Sequence, residues 1–169
     1  VEALIGKDAK VDEPDKDGVT PLWVAAQNGH LEVVEALIGK DAKVDEPDKD
    51  GVTPLWVAAQ NGRAEVVKAL IAKGAKVDKS NNSGRTPLWV AAQNGHLEVV
   101  EALIGKDAKV DEPDKDGVTP LWVAAQNGHL EVVKALIAKG AKVDKSNNSG
   151  RTPLWVAAQN GHLEVVEAL

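Results

Sequence analysis

Thr53–Gly62 reads "TPLWVAAQNG", and the same ten residues stand at Thr20–Gly29, Thr86–Gly95, Thr119–Gly128 and Thr152–Gly161. Each copy starts 33 residues after the one before it, and no insertion breaks the count. A reaction centre needs one constellation of groups, so five identical copies argue that the stretch builds something. A fixed period of this size marks stacked supersecondary units, none of which can bury its apolar face alone.

The composition follows from copying one unit. Among 169 residues there are five Trp but no Phe, Tyr, Met or Cys. A residue missing from the unit is missing from the whole, while 43% hydrophobic residues are enough for a core. The absence of cysteine removes disulfides, thiolate metal sites and cysteine nucleophiles together. It suits a reducing compartment, so a cytoplasmic (intracellular) location is expected. No apolar run approaches the length of a membrane span, and the first residues lack a signal-peptide pattern. A formal net charge of −6 disfavours a polyanion ligand, which needs clustered Lys and Arg. Neither a membrane nor a nucleic acid is therefore expected as partner. The start at Val1, and the same "VEAL" at 1–4 and 166–169, suggest a trimmed chain with each end inside the same helix.

Two unit types share the frame. The first is Thr20–Val52, repeated letter for letter at Thr86–Val118 and ending "IGKDAKVDEPDKDGV". The second is Thr53–Arg85, nearly repeated at Thr119–Arg151 and ending "IAKGAKVDKSNNSGR". Its two copies differ only at Arg63-Ala64 against His129-Leu130. This predicts a single repeat domain over 1–169, with partial units at 1–19 and 152–169. Between them lie full units at 20–52, 53–85, 86–118 and 119–151.

Within a unit, Thr20 is a good helix N-cap and Pro21 suits the first helical position, where its missing N–H costs nothing. A short helix over Leu22–Gln27 is then ended by Asn28-Gly29, residues that tolerate a left-handed backbone. A second helix over His30–Ile38 carries Leu31, Val34, Leu37 and Ile38 at helical spacing, a buried stripe. Gly74 closes this helix in the second type, whereas the first type has Asp41 there and Gly39 two residues earlier. Asp visits the left-handed region at a cost, so these ends are expected to be weaker. "DKDGV" (Asp48–Val52) and "NNSGR" (Asn81–Arg85) are turn sequences before the next Thr-Pro. Helices this short do not persist alone, so neighbouring units must share stability in a solenoid.

These features resemble the ankyrin repeat family over essentially the whole chain. The family's T-P-L-H-x-A-A signature is similar to "TPLWVAA", followed by "NGHLEVV" and by Gly74-Ala75 with Val77. The resemblance implies an all-α repeat solenoid with a protruding β-turn per unit, and no distinct capping repeats are expected at its ends. The departure is Trp23, Trp56, Trp89, Trp122 and Trp155 where the family usually has His. In the family that His braces the turn beside the Thr; indole has one donor and no acceptor, so the bracing must change, and a buried ladder of Trp rings is expected. The resemblance also implies a protein-binding module using turn fingers and the groove beside the first helices. The finger positions are Lys49, Asp50, Val52, Asn82, Ser83 and Arg85, recurring at Lys115, Asp116, Val118, Asn148, Ser149 and Arg151. The groove positions are Gln60 and Asn61, with Gln93 and Asn94 equivalent.

Several sharper readings compete with plain ones. "EPDKDG" at Glu46–Gly51 has the first carboxylates of a calcium loop, but Val57 stands where a bidentate Glu belongs; a solvated turn fits better. His30, His96, His129 and His162 begin second helices one unit apart. At the ~10 Å spacing of packed helices they cannot share a zinc ion, and they read as residues packing on the loop. Asn81-Asn82-Ser83 and Asn147-Asn148-Ser149 match a glycosylation acceptor but read more simply as turns. The Trp series could also be a stacking platform for bases or sugars; the buried ladder is preferred.

One helix position reads Glu2, Glu35, Lys68, Glu101, Lys134 and Glu167, so neighbouring units are expected mostly to set opposite charges side by side. Such surface pairs contribute only ~0–1 kcal/mol each, and their alternation disfavours one-unit slips. Apolar Val1, Leu4 and Ile5 at one end, with Leu163, Val166 and Leu169 at the other, predict head-to-tail self-association. A non-enzymatic module binding a protein partner is the leading reading, without cofactor or metal. The alternative is a self-stacking scaffold, natural or engineered, with no dedicated partner.

Overall fold

The computed structural model of the chain describes residues 9–169, so Val1, Glu2, Leu4 and Ile5 lie outside the described residues. Among the described residues there are ten α-helices and no strand. The first helices are α1 (Pro21–Asn28), α3 (Pro54–Gln60), α5 (Pro87–Asn94), α7 (Pro120–Gln126) and α9 (Pro153–Asn160). The second helices are α2 (Leu31–Ile38), α4 (Ala64–Ala72), α6 (Leu97–Ile104), α8 (Leu130–Ala138) and α10 (Leu163–Ala168). Each first helix packs on its own second helix and on the next first helix, and the second helices stack likewise. The result is two parallel rows, the all-α solenoid expected from the period.

Each first helix starts where the sequence directs. Thr20 Oγ1 accepts the backbone N–H of Trp23 at 3.2 Å, and Pro21 takes the first turn. Thr53, Thr86, Thr119 and Thr152 repeat the cap. The second helices begin one residue later than expected, at Leu31 rather than His30, and the His side chain makes no cap bond.

Burial makes the units interdependent. Leu22, Leu55, Leu88 and Leu121 are fully buried, as are Val34, Val67, Val100 and Val133. Each such side chain contributes about 1.5–3 kcal/mol when removed from water, and all of them belong to one core cluster that runs through the units. In the expected stripe, Val34 and Leu37 are buried while Leu31 and Ile38 are half-buried.

The two unit types end their second helices differently, as anticipated. Asp41 and Asp107 hold the left-handed backbone, at φ 65° and 61°, while Gly39 is helical at φ −63°. In the second type the left-handed place belongs to Gly74, at φ 87°. The first type thus puts its glycine where none is needed.

Candidate interaction surface

The fingers are built by one side chain each. Asp48 Oδ1 accepts the N–H groups of Asp50 and Val52, both at 2.9 Å, and folds the turn around itself. Asn81 Oδ1 does the same for Ser83 and Arg85, Asp114 for Asp116 and Val118, and Asn147 for Ser149 and Arg151. Asp15 does it for Asp17 and Val19, and those two N–H bonds, Val19 first, hold its carboxyl below the ordinary aspartate value. The carboxylate that resembled a calcium ligand is therefore the turn's own brace. Asn81 and Asn147 carry that same role in the sequences that matched a glycosylation acceptor.

The fingers are also tied to one another. Lys49 N–H donates to Asp17 O, Asn82 N–H to Asp50 O, Lys115 N–H to Ser83 O, and Asn148 N–H to Asp116 O. The amides of Asn82 and Asn148 add bonds to Lys49 O and Lys115 O. Behind the fingers, indole N–H groups cross from unit to unit. Trp23 donates to Val52 O, Trp56 to Arg85 O, Trp89 to Val118 O and Trp122 to Arg151 O, at 2.8–2.9 Å. The rings of Trp56, Trp89 and Trp122 are buried, Trp23 is half-buried and Trp155 is 42% exposed. The single indole donor thus bridges units, and these rings form the expected ladder rather than a stacking platform.

A third ladder runs through the loops between paired helices. His96, His129 and His162 place Nε2 2.9–3.0 Å from the carbonyls of Gln60, Gln93 and Gln126. Arg63 Nε donates to Gln27 O at 3.2 Å, the same bond made by a different side chain. The close approach needs glycine: a Cβ at Gly95, where φ is 73°, would meet His129 at 2.6 Å.

The anticipated binding residues divide on this geometry. Lys49, Asp50, Ser83, Lys115, Asp116 and Ser149 are exposed at the tips, and Gln60, Asn61 and Asn94 are exposed beside the first helices. Gln93 is half-buried. Asn61 and Asn94 direct their amide N–H groups to Val57 O and Val90 O, finishing their own helices. Val52 and Val118 are buried, 8% and 9% exposed, and do not offer side chains to a partner. Asn82 and Asn148 are exposed, yet their amides are engaged within the ribbon. Arg85 lies over the Trp89 ring, 4.3 Å from its centroid, with Nε 3.3 Å from Asp114 Oδ2. Asp114 is 2% exposed in its side chain, so this is an internal clasp rather than a free finger charge. Arg151 lies over Trp155 at the same 4.3 Å and is exposed. The clasp had a signal in the sequence, Arg85 and Arg151 each four residues before a Trp, but its acid partner is visible only in space.

The charge series on the second helices pairs otherwise than its alignment suggests. Lys68 Nζ meets Glu65 of its own helix at 2.8 Å and Glu98 of the next unit at 2.7 Å, not Glu35 or Glu101. These bonds, Glu65 first, raise the Lys68 pKa well above the ordinary lysine value. Lys134 pairs with Glu131 within its helix. The offset arises because a lysine stem reaches one helical turn back along the neighbouring helix.

Among the described residues no cluster of three or more His, Cys, Asp or Glu could hold a metal ion. Among them, no helix is long and apolar enough to cross a membrane. No curated protein matches the chain. A family model described as ankyrin repeats (3 copies) matches residues 1–81, 32–114 and 107–169. Paired short helices, Thr-capped starts and a turn ladder every 33 residues agree with that match over the described residues, and the chain belongs to the ankyrin repeat family.

Proposed function

We propose that the protein is a non-enzymatic scaffold that binds a protein partner along the rim formed by its turn tips and the exposed edge of its first helices. Ankyrin repeats generally mediate protein–protein interaction. The observation that carries the reading is the tip ribbon. Backbone bonds fix each finger to the next, so the exposed side chains of Lys49, Asp50, Lys115 and Asp116 are held in place before any partner arrives. Pre-organisation of this kind lowers the ordering cost of binding. Repetition of Lys-Asp tips favours a partner that is itself periodic. The four full units act as one body, and a cysteine-free chain suits an intracellular compartment.

Photo-crosslinking tests this reading. A crosslinker at position 49 or 115 should capture the partner, while one at Glu101 on the outer row should not. Equal capture from both faces, or loss of none of it in a Lys49→Glu, Lys115→Glu variant, counts against the rim.

A second reading, a scaffold that stacks on itself, rests on a specific contrast. Leu154 and Trp155 are 46% and 42% exposed, whereas their counterparts Leu121 and Trp122 are 0% and 7% exposed. Leu163 adds a further exposed apolar side chain, at 63%. A face so shaped receives another unit, whether from a continuing chain or from a second molecule.

A further inference from the structure

We propose that the rim binds an extended segment of its protein partner, with a basic residue against Asp50 and an acidic residue against Lys115, about five or six residues apart. The proposal rests on the rim reading and adds to it the partner's backbone form and charge register.

Alternation of unit types sets these charges free. Where two first-type tips adjoin, Lys49 Nζ stands 3.7 Å from Asp17 Oδ1, so a tip's lysine meets the acid of the tip before it. The tip before Lys115 is Asn82-Ser83, which has no acid, and the tip after Asp116 is Asn148-Ser149, which has no lysine. Asp50 likewise is followed by Asn82-Ser83. At these junctions the amides of Asn82 and Asn148 do the stitching, donating to Lys49 O and Lys115 O. Among the described residues Asp50, Lys115 and Asp116 are therefore exposed tip charges in no ion pair. Their backbone is nonetheless fixed. Asp50 N–H donates to Asp48 Oδ1, Asp116 N–H to Asp114 Oδ1 and Lys115 N–H to Ser83 O.

The spacing follows from the stack. Packed helices lie ~8–10 Å apart, so Asp50 and Lys115, on tips two units apart, are separated by roughly 16–20 Å. An extended chain rises ~3.3 Å per residue, so about five or six residues lead from a cation at Asp50 to an anion at Lys115. Asp116, beside Lys115, favours a second basic residue next to that anion. Between the charged tips, Asn82-Ser83 offers only uncharged groups. Asn82 spends its amide N–H on Lys49 O, which leaves Oδ1 to accept, and the Ser83 hydroxyl can donate or accept. Such groups match the free backbone N–H and C=O of an extended segment, whereas a helix has bonded those groups within itself. The two signs also select direction, because the same segment laid the other way sets like charges together.

The test is selection from a displayed library of random peptides about 14 residues long, enough to span the register. Wild type should enrich peptides with Lys or Arg about five or six positions from Asp or Glu, in one chain direction. An Asp50→Lys, Lys115→Asp variant exchanges two exposed side chains and should enrich the same spacing with the signs exchanged. Peptides selected on wild type should bind that variant about tenfold more weakly, and Lys115→Gln alone about threefold more weakly. Circular dichroism confirms that all three proteins fold alike. A spacing of about eleven to thirteen positions, the helical equivalent, or no enrichment at all, overturns the extended segment. Peptides that bind wild type and variant equally, while a crosslinker at position 49 still captures them, overturn the register and leave the rim reading standing. Capture from Glu101 on the outer row and not from position 49 overturns both.

Discussion

The indole N–H of Trp89 donates to the carbonyl oxygen of Val118 at 2.9 Å, a buried bond reaching from the first helix of one unit to the turn of the next. The same carbonyl accepts the Asp114 N–H that closes its own turn. One oxygen therefore joins a turn's internal geometry to the packing between units. Stacking order and turn shape are coupled at that atom.

Trp89→Phe should accordingly destabilise by about 1–3 kcal/mol, from one lost buried hydrogen bond and the volume left behind. Trp155→Phe should lie within about 0.5 kcal/mol of wild type, as surface substitutions do, because that ring is 42% exposed. Urea unfolding midpoints measured at dilution compare the two. Equal effects would show that the bridging bond contributes little.

Much of the fold was legible because its signals are local and copied. Thr20-Pro21 caps a helix, Asn28-Gly29 ends one, and Asp48 braces a turn, each within four residues of its target. What the sequence hid depends on neighbours 29 to 36 residues away. Val52 looked like a finger residue by position, but its side chain is buried under the next unit. Arg85 looked like a free charge, and its clasp with Asp114 emerges only when two turns lie side by side. Arg63, the one departure in the histidine series, keeps that series' bond to a Gln carbonyl.

Relocating the glycine should strengthen first-type units. Gly39→Ala with Asp41→Gly converts that helix end into the one at Ala72 and Gly74. Removing a helical glycine contributes about 0.5–1 kcal/mol, and relieving a left-handed Asp contributes about 1 kcal/mol more. A Cβ at Gly39 comes within 3.2 Å of Glu35 O, a tight contact that a few tenths of an ångström relieve. Thermal midpoints should rise for the double variant, and a fall would locate the strain elsewhere.

Arg63 offers a test of the loop ladder. Arg63→His should leave stability within about 0.5 kcal/mol, since the histidines make the same contact, whereas Arg63→Ala should lose about 0.5–1.5 kcal/mol with the bond to Gln27 O. Hydrogen exchange at the Gly29 and His30 amides reports the loop directly. Identical protection in wild type and Arg63→Ala would remove the bond's significance.

Acid should loosen the first turn through Asp15. Its folded-state pKa is depressed, chiefly by the Val19 N–H and then by the Asp17 N–H. The sign follows: the carboxylate's contribution is complete above the unfolded value near ~3.9 and is lost as pH falls through the lower folded value. NMR titration of the Asp15 carboxyl should show a midpoint below the ordinary aspartate range, and Asp15→Asn should flatten the acid response of the Val19 amide. A midpoint at the ordinary value would mean that the turn bonds do not select the ionised form.

The Arg85–Asp114 clasp is the firmest test of whether unit order is encoded electrostatically. Asp114→Asn keeps the turn, because Asn81 and Asn147 brace theirs with the same oxygen. It removes the charge that Arg85 faces, and with Arg85 present this should cost about 1–2 kcal/mol. In an Arg85→Val background the same change should cost under about 0.5 kcal/mol, because the junction then matches that between Val52 and Asn81. Asp114 is buried to 2% in its side chain, so added salt should reduce the coupling less than it would for an exposed pair such as Lys10–Glu13. A coupling energy near zero, or one erased by salt, would make the alternation of unit types a feature of history rather than of folding.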